Sequence, residues 1–234
     1  MATVDAEKKL QNRVLHWLVD DLGYTYLGNL EDIDNTPVKE ELLKANLKKR
    51  GYTDDQIKTA ISELVGKVNN QSDTLYQINR SVYSLLRYGR QGAKDAHGHR
   101  QTVHYIDWDD IGKNDFFVAE EVSVLRFDKV TRKRPDVVLY INGIALGVFE
   151  LKSSHVSAGK GIRQLLQNQK KENIMSFFST SQLLFAGNEA QGLFYGTTET
   201  KEKYFYQGYY YYTAFFSVCL RLLHHFFTDF FHPV

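Results

Sequence analysis

The clearest hydrophobic pattern in the chain is a pair of apolar runs, Val137 to Ile141 and Ile144 to Phe149, separated by Asn142-Gly143. An Asn-Gly dipeptide between two apolar runs is the strongest short-range signal for a β-hairpin. Both runs are apolar at odd and even positions alike, which predicts strands that are covered on both faces. The pattern therefore places this hairpin at the centre of a sheet.

The first hundred residues show helical periodicity instead. Apolar residues recur every three or four positions in four segments that end near a glycine or a polar turn. They predict helices over residues 6–21 and 37–50, one that begins after Thr53, and one over residues 72–88. Thr53-Asp-Asp-Gln56 has the form of a capping box for the third helix.

Strand patterns return after residue 100. They predict strands over residues 103–108, 116–124, 181–186 and 192–195, with a helix over 159–173. Residues 90–101 have no periodicity and predict a loop. His97 and His99 lie in that loop, and a His-x-His pair without a third ligand is more typical of a solvated turn than of a metal site. Together these elements predict an α/β fold, a mixed sheet flanked by helices with a helical N-terminal part.

The end of the chain is rich in aromatic residues. Seven of the nine residues from Tyr204 to Tyr212 are aromatic, and residues 215–231 have the composition of a helix of Leu, Phe and His. The tyrosines, with Gln207 and Gly208, make a poor membrane span. We therefore predict an aromatic tail over residues 205–234, with a terminal helix or a partner surface, and no membrane association.

Composition limits the possible functions. Hydrophobic residues make up 43% and charged residues 24% of the 234 residues, which is typical of a soluble globular protein of one domain or one and a half. The net charge is +1, so affinity for nucleic acid would have to come from a local patch. The single cysteine, Cys219, excludes an internal disulfide. With an N-terminus that lacks the apolar stretch of a signal peptide, it predicts a cytoplasmic protein.

Three ionisable residues lie at the open end of the central hairpin: Asp136, Glu150 and Lys152. Burying an unpaired carboxylate costs several kcal/mol, so charges on strands that otherwise form core require a reason. Two carboxylates and a lysine that converge could form a site for a hard divalent cation.

The register of the hairpin decides whether these residues converge. With a strict two-residue turn, Asp136 lies opposite Phe149 and Glu150 points to the other face. One additional residue, as in a three-residue loop with Gly143 in the left-handed region and a bulge, pairs Asp136 with Glu150 and puts Lys152 on the same side. A functional site therefore predicts the bulged register, or a break in the ladder near Asp136.

The sequence Pro135-Asp136, followed by Glu150-Leu151-Lys152, resembles the PD-(D/E)XK nuclease signature. The surrounding stretches resemble the nuclease region of type I restriction enzyme R subunits over about Val14 to Tyr204. The stretches that carry this resemblance are Leu75-Tyr-Gln-Ile-Asn-Arg, Leu85-Leu-Arg-Tyr-Gly, Asn114-Asp-Phe-Phe-Val-Ala-Glu-Glu-Val, residues 134–152, Gly161-Ile-Arg-Gln-Leu-Leu and Ala186-Gly-Asn-Glu-Ala-Gln-Gly-Leu-Phe-Tyr-Gly-Thr.

The resemblance implies a restriction-endonuclease-like nuclease core over residues 101–204, with the helical part over residues 1–100 packed on it. It also implies Mg²⁺-dependent hydrolysis of DNA. Asp136, Glu150 and the Leu151 carbonyl would hold Mg²⁺, and Lys152 would orient or deprotonate the attacking water. The family carries a glutamine on the next helix, which corresponds to Gln164. The tyrosine that often follows four residues later is replaced here by Asn168.

Five cations lie within nine residues directly before the carboxylates: Arg126, Lys129, Arg132, Lys133 and Arg134. A run of charge is usually a solvated loop, and contact with DNA phosphates beside the site is the alternative; both stay open. Lys160, on the polar face of the helix that follows, is a further candidate for DNA binding.

In the family resembled here, separate specificity and methyltransferase subunits choose the sequence. The implied partners are therefore double-stranded DNA and those subunits. No G-x-x-x-x-G-K-[ST] motif occurs, so ATP is expected only for a full-length subunit, and the chain is expected to be a fragment, a truncated product or an orphan. Two other functions stay open: a non-catalytic docking module for partner subunits, and a stand-alone structure-specific nuclease.

Overall fold

The computed structural model of the protein describes residues 2–94 and 100–208. The predictions for His97, for His99 and for the tail beyond Gly208 concern residues outside these ranges. In residues 2–94 and 100–208, no helix is long and apolar enough to cross a membrane.

The described residues form eleven strands and five α-helices. In chain order the strands are β1 (Thr25–Asn29), β2 (Arg90–Lys94), β3 (Arg100–Val103), β4 (Phe116–Glu120), β5 (Val124–Leu125), β6 (Arg132–Lys133), β7 (Val137–Ile141), β8 (Ile144–Leu151), β9 (Leu183–Asn188), β10 (Gly192–Gly196) and β11 (Tyr206–Gly208). The helices are α1 (Ala2–His16), α2 (Glu40–Lys49), α3 (Asp54–Val68), α4 (Leu75–Tyr88) and α5 (Ala158–Asn168). A π-helical turn, Trp17–Asp21, follows α1, and 3-10 turns lie at Ile111–Lys113, Met175–Ser179 and Glu202–Tyr204.

Seven strands form one mixed sheet in the order β1-β4-β7-β8-β9-β10-β11. The pairs β1–β4 and β8–β9 are parallel, and the other neighbours are antiparallel. The remaining strands form two short antiparallel ribbons, β2–β3 and β5–β6. Every residue of β7 and β8 is buried, which confirms the prediction of a central hairpin covered on both faces.

Helices cover three sides of this hairpin. On one face of the sheet, Ile162 and Leu165 of α5 pack on a cluster that includes Val148. On the other face, Val14 and Leu18 of α1 belong to the cluster around Phe149. Helices α2, α3 and α4 cover the turn end of the hairpin. The open end of the hairpin is therefore left between α1 and α5.

The predicted helical N-terminal part is confirmed, and so is the capping box of α3. The Gln56 amide donates to Thr53 Oγ1 at 3.4 Å, and the Thr53 amide donates to Gln56 Oε1 at 2.9 Å. The part is not purely helical, because β1 lies within it and pairs with β4 of the predicted core. The main sheet thus crosses the boundary predicted at residue 100, and β11 extends it past residue 204.

Several element predictions are wrong. The predicted loop over residues 90–101 contains the β2–β3 ribbon, and the predicted strand over residues 103–108 stops at Val103. Beyond Val103 the chain leaves the β2–β3 ribbon, and two of its side chains donate to backbone carbonyls of helices: Tyr105 Oη donates to Ala60 O at 2.7 Å, and Trp108 Nε1 donates to Leu86 O at 2.8 Å. Helix α5 ends at Asn168 instead of residue 173.

The turn between β7 and β8 explains why the sequence needs Asn142-Gly143. Both residues have positive φ, 52° and 85°, as a two-residue hairpin turn requires. Asn142 is buried, and its side chain accepts from the Asp115 amide at 2.7 Å. A Cβ at Gly143 would lie 2.6 Å from Lys39 O, so the backbone of the loop before α2 leaves no room for a side chain.

We expect Gly143→Ala to lower the free energy of unfolding by about 1–3 kcal/mol, because the substitution adds both a positive-φ strain and a backbone clash. The matched control is Gly66→Ala, in the interior of α3, where a new Cβ meets nothing within 4 Å. That control should be neutral or more stable by up to about 1 kcal/mol. Urea titrations of both variants test this, and an unchanged midpoint for Gly143→Ala would contradict it.

Candidate active site

The register of the central hairpin changes along its length. Next to the turn, Ile141 pairs with Ile144, but further along Val137 pairs with Phe149. One additional residue is therefore inserted in β8, between Ala145 and Gly147. The predicted bulged register is confirmed at the open end, whereas its predicted location in the turn is wrong. The turn keeps two residues because both of its positions have positive φ.

This bulge brings the candidate residues to the same level. Asp136 precedes Val137 and Glu150 follows Phe149, so the two carboxylates come to one end of the β7–β8 pair. The Leu151 amide donates to Asp136 Oδ2 at 2.6 Å. This hydrogen bond joins the start of β7 to the end of β8 beyond the last ladder pair.

Lys152 lies against the second carboxylate. Its Nζ donates to Glu150 Oε1 and to the Leu151 carbonyl, both at 2.8 Å. Glu150 is fully buried, and Lys152 is 7% exposed. All three ionisable groups line one cleft of about 630 Å³. The structure therefore brings together the three residues that sequence reasoning selected.

Helix α1 contributes residues that sequence reasoning missed. Glu7 Oε1 lies 3.4 Å from Lys152 Nζ, and Gln11 Nε2 donates to the Asp136 carbonyl at 3.2 Å. Gln11 Nε2 also donates to Glu120 Oε2 at 2.8 Å, as Lys8 Nζ does at 2.7 Å. In the sequence these residues are only the polar face of an amphipathic helix, and no local pattern relates them to the hairpin.

Burial decides the protonation of the site. It raises the pKa of Asp136 to about 7, an effect that the charge of Lys152 and the Leu151 amide only partly offset. Burial and the neighbouring Asp136 raise the pKa of Glu150 well above its usual range. Burial would lower the pKa of Lys152, but Glu150 and Asp136 outweigh it and the pKa is raised. Burial thus opposes ionisation of the two carboxylates in the free protein, and a cation bound between them would favour their charged forms and displace the protons.

The donor set fits a hard divalent cation. Glu150 Oε2 is buried and has no hydrogen-bond partner among the described residues, which is costly for a carboxylate oxygen. Carboxylate and carbonyl oxygens are the ligands that Mg²⁺ prefers. No group of three or more His, Cys, Asp or Glu side chains with ligand geometry occurs in residues 2–94 and 100–208. Two carboxylates and the Leu151 carbonyl suffice, because Mg²⁺ usually keeps several waters.

The structure divides the predicted DNA-binding residues between two places. Four line the cleft with the carboxylates: Arg132, Lys133, Arg134 and Lys160. Arg126 and Lys129 instead line a second cleft of about 490 Å³, beside the residues that follow β1. The cations therefore do not form one patch around the carboxylates.

Two of the arginines in the cleft that Asp136, Glu150 and Lys152 line, hereafter called the active-site cleft, form ion pairs in the free protein. Arg134 pairs with Glu31, and its Nε lies 2.8 Å from Glu121 Oε2. Arg132 Nη1 lies 3.3 Å from Asp34 Oδ1. These carboxylates occupy positions that phosphate oxygens could take, so an anionic ligand bound here would have to displace them.

Gln164 lies on α5 and lines the same cleft as the carboxylates, half-buried. The close approach of α5 depends on Gly161, where a Cβ would lie 3.0 Å from Glu150 O and 3.6 Å from Lys152 Cγ. The sequence places Lys160, Gln164, Asn168 and Lys171 on one polar stripe of the helix, which predicts that Asn168 is solvated, and this is wrong because Asn168 is buried. Position 168 faces the core and not the cleft.

The fold and the site define a class of protein. A mixed sheet flanked by helices, with two carboxylates and a lysine at the open end of its central hairpin, is restriction-endonuclease-like. The chain belongs to the family described as type I restriction enzyme R protein N terminus, whose model matches residues 6–203. This confirms the resemblance to type I restriction enzyme R subunits.

Two curated relatives agree with this assignment. The chain is 23% identical over 199 residues to a protein of Methanocaldococcus jannaschii provisionally named type I restriction enzyme MjaIXP endonuclease subunit, a match that covers 79% of this chain and 19% of the relative. It is 31% identical over 77 residues to the type I restriction enzyme HindI endonuclease subunit of Haemophilus influenzae, covering 32% of this chain and 7% of that relative. The matches thus span about a fifth or less of each relative.

Proposed function

We propose that this chain is the nuclease unit of a type I restriction enzyme R subunit and hydrolyses DNA phosphodiesters with Mg²⁺, without reading bases. The observation that carries the proposal is the fully buried Glu150, whose Oε2 has no partner among the described residues, beside Asp136 and Lys152 in a cleft with four cations. A buried carboxylate oxygen without a partner requires an explanation, and a bound cation supplies one.

Asp136, Glu150 and the Leu151 carbonyl would hold the Mg²⁺ ion. When bound, this ion polarises the scissile phosphate and offsets the charge that develops on it. Hydrolysis adds the oxygen of water to phosphorus and breaks one backbone P–O bond, and the leaving oxygen ends as a hydroxyl.

Lys152 would act on the attacking water or on the phosphate. Its raised pKa keeps it protonated at neutral pH, which makes it a hydrogen-bond donor in the free protein. As a donor, it would orient the water and stabilise the additional negative charge of the transition state. To deprotonate water itself, it would first have to lose its proton, which Glu150 at 2.8 Å opposes.

Membership of the family supports the proposed partners. We propose that double-stranded DNA enters the active-site cleft along Arg132, Lys133, Arg134 and Lys160, and that specificity and methyltransferase subunits supply sequence choice. No base-reading element is required, because contacts to phosphates fix position without carrying sequence information.

Plasmid cleavage tests the proposal. Supercoiled DNA is incubated with the purified chain, alone and with specificity and methyltransferase subunits, in Mg²⁺ or in EDTA. We expect nicks or breaks only with Mg²⁺ and at no preferred sequence. Cleavage that persists in EDTA, or the absence of cleavage in both the chain and the complex, would contradict the proposal.

Gln164 supplies a separate prediction. We expect Gln164→Ala to leave Mg²⁺ and DNA binding near wild type but to lower the single-turnover cleavage rate by roughly tenfold or more. The reason is that an uncharged side chain adds little to cation affinity, yet can donate to or accept from groups that change in the transition state. The control is Gln167→Ala, an exposed residue of the same helix outside the cleft. Equal losses of rate and of DNA affinity would contradict a role confined to the transition state.

A further inference from the structure

The β5–β6 hairpin carries an exposed apolar tip. Val130 is 80% exposed, more than any other large hydrophobic residue that the structure describes, and Phe127 is 57% exposed. Single exposed apolar residues are ordinary, but two of them in one turn form a local apolar surface. The Phe127 amide donates to Asn173 O at 3.0 Å, which ties the tip to the loop after α5.

The tip is held in one conformation. Asp128 Oδ1 accepts from the amides of Val130 and Thr131, each at 2.9 Å, and its Oδ2 accepts from Thr131 Oγ1 at 2.6 Å. The Arg126 amide donates to Thr131 O at 2.9 Å, and Lys129 takes the left-handed region with φ 56°. A turn whose backbone is already ordered loses little conformational entropy on binding, so Phe127 and Val130 are presented to a partner from a fixed backbone.

Charge identifies the class of partner. Arg126 and Lys129 lie at the tip with one carboxylate, Asp128, whose Oδ2 is 3.9 Å from Arg126 Nη1, so the tip has a net positive charge. Arg132, Lys133 and Arg134 continue from it into the active-site cleft. An apolar tip between cations complements a polyanion that also offers apolar surface. Duplex DNA is such a ligand, because its grooves expose sugars and base edges between two rows of phosphates.

The position of the tip fits the same duplex that would occupy the active site. The chain from Val130 to Asp136 spans at most about 20 Å when fully extended. The grooves of B-DNA are about 6 Å and 12 Å wide. The span from the tip to Asp136 is therefore no longer than the two grooves and the backbone between them. A duplex with a phosphate at Asp136 would therefore pass within reach of the tip.

We propose that the β5–β6 tip inserts Phe127 and Val130 into a groove of the DNA duplex beside the active-site cleft, while Arg126 and Lys129 contact its phosphates. The inference rests on the proposed function, in which duplex DNA is the substrate. It adds a contact that holds the duplex by its shape, as apolar side chains do in other groove-binding proteins.

The test compares three double variants by fluorescence anisotropy with a 30-base-pair duplex, in EDTA, over a series of salt concentrations. Phe127→Ser with Val130→Ser should weaken binding about 5- to 20-fold without changing the salt slope, because no phosphate contact is lost. Arg126→Ala with Lys129→Ala should reduce the slope by about two units. The control is Tyr76→Ser with Tyr88→Ser, two exposed aromatics of α4 that line neither cleft, and it should bind like wild type.

Measurements on the chain alone and in the assembled restriction complex separate the possible failures. Wild-type affinity in the tip variant would overturn the inference and leave the proposed function standing. A wild-type protein that does not bind duplex DNA in either form would overturn the proposed function and the inference with it. Unchanged DNA binding combined with lost assembly would show that the tip contacts a protein subunit instead.

Discussion

Glu150→Ala, Asp136→Ala and Lys152→Ala are each expected to lower the rate of DNA cleavage at least about 10³-fold while the protein stays folded. Removing a carboxylate deletes a ligand of the proposed cation, and removing Lys152 deletes the donor that stabilises developing charge. The fold should survive, because removal of Asp136 or Glu150 relieves a burial penalty, and because Glu150, whose pKa is already raised, can stay protonated in Lys152→Ala. Initial rates of plasmid nicking at saturating Mg²⁺ and thermal unfolding curves measure the two effects.

Matched controls distinguish loss of chemistry from loss of charge. Glu172→Ala and Lys170→Ala change exposed residues in the segment after α5 that line neither cleft, and both should cleave like wild type. A site variant that cuts at the wild-type rate would remove that residue from the proposed mechanism. Variants of all three that bind DNA and partner subunits normally, beside a wild-type chain that never cuts, would favour the docking-module alternative.

Local sequence patterns were sufficient to predict the centre of the fold. Asn142 and Gly143 favour the positive φ angles that a two-residue hairpin turn requires. The flanking runs are apolar at every position, so they are removed from water only if both faces of the hairpin are covered. The capping box at Thr53 is a four-residue pattern that is satisfied within its own helix. Such features are predictable because their partners lie a few residues away.

The bulge in β8 is a feature that local sequence patterns did not predict in full. Requiring Asp136 and Glu150 to share a face of the hairpin predicted either an additional residue at the turn or a break in the ladder near Asp136, and neither alternative placed a bulge between Ala145 and Gly147. Gly147 allows it, since a Cβ there would lie 3.2 Å from Leu139 Cδ1. A glycine within an apolar strand signals close approach, yet the sequence does not say which neighbour approaches.

The missed parts of the site depend on contacts between distant segments. Glu7 reaches Lys152 only because Val14 and Leu18 fix α1 on the sheet. Strand β1 has three exposed residues and two half-buried ones, so it lacks the alternation that would reveal it. The loop after β1 carries Glu31 to Arg134, a pairing between residues that no periodicity connects.

Asp136→Asn is expected to stabilise the protein at pH 8 in EDTA by between about 1 and 4 kcal/mol, and to have little effect at pH 4. Burial raises the pKa of Asp136 to about 7, whereas the unfolded value is the usual 3.8. The folded state therefore binds the proton more tightly. Its stability is full below pH 4 and falls as pH rises towards 7, at up to about 1.4 kcal/mol per pH unit. Asparagine removes this penalty and can still accept from the Leu151 amide.

Urea titrations at several pH values measure the difference. The control is Asp32→Asn, which changes an exposed carboxylate on the loop after β1. Its free energy of unfolding should differ from that of wild type by the same amount at every pH. Addition of Mg²⁺ at pH 8 should stabilise wild type by binding to the folded state, and it should stabilise Asp136→Asn much less, because the variant lacks one anionic ligand. A variant that is less stable than wild type at pH 8 without a cation would contradict this prediction. It would show that favourable contacts stabilise the charged Asp136 in the folded protein, so that no cation is needed to offset its burial.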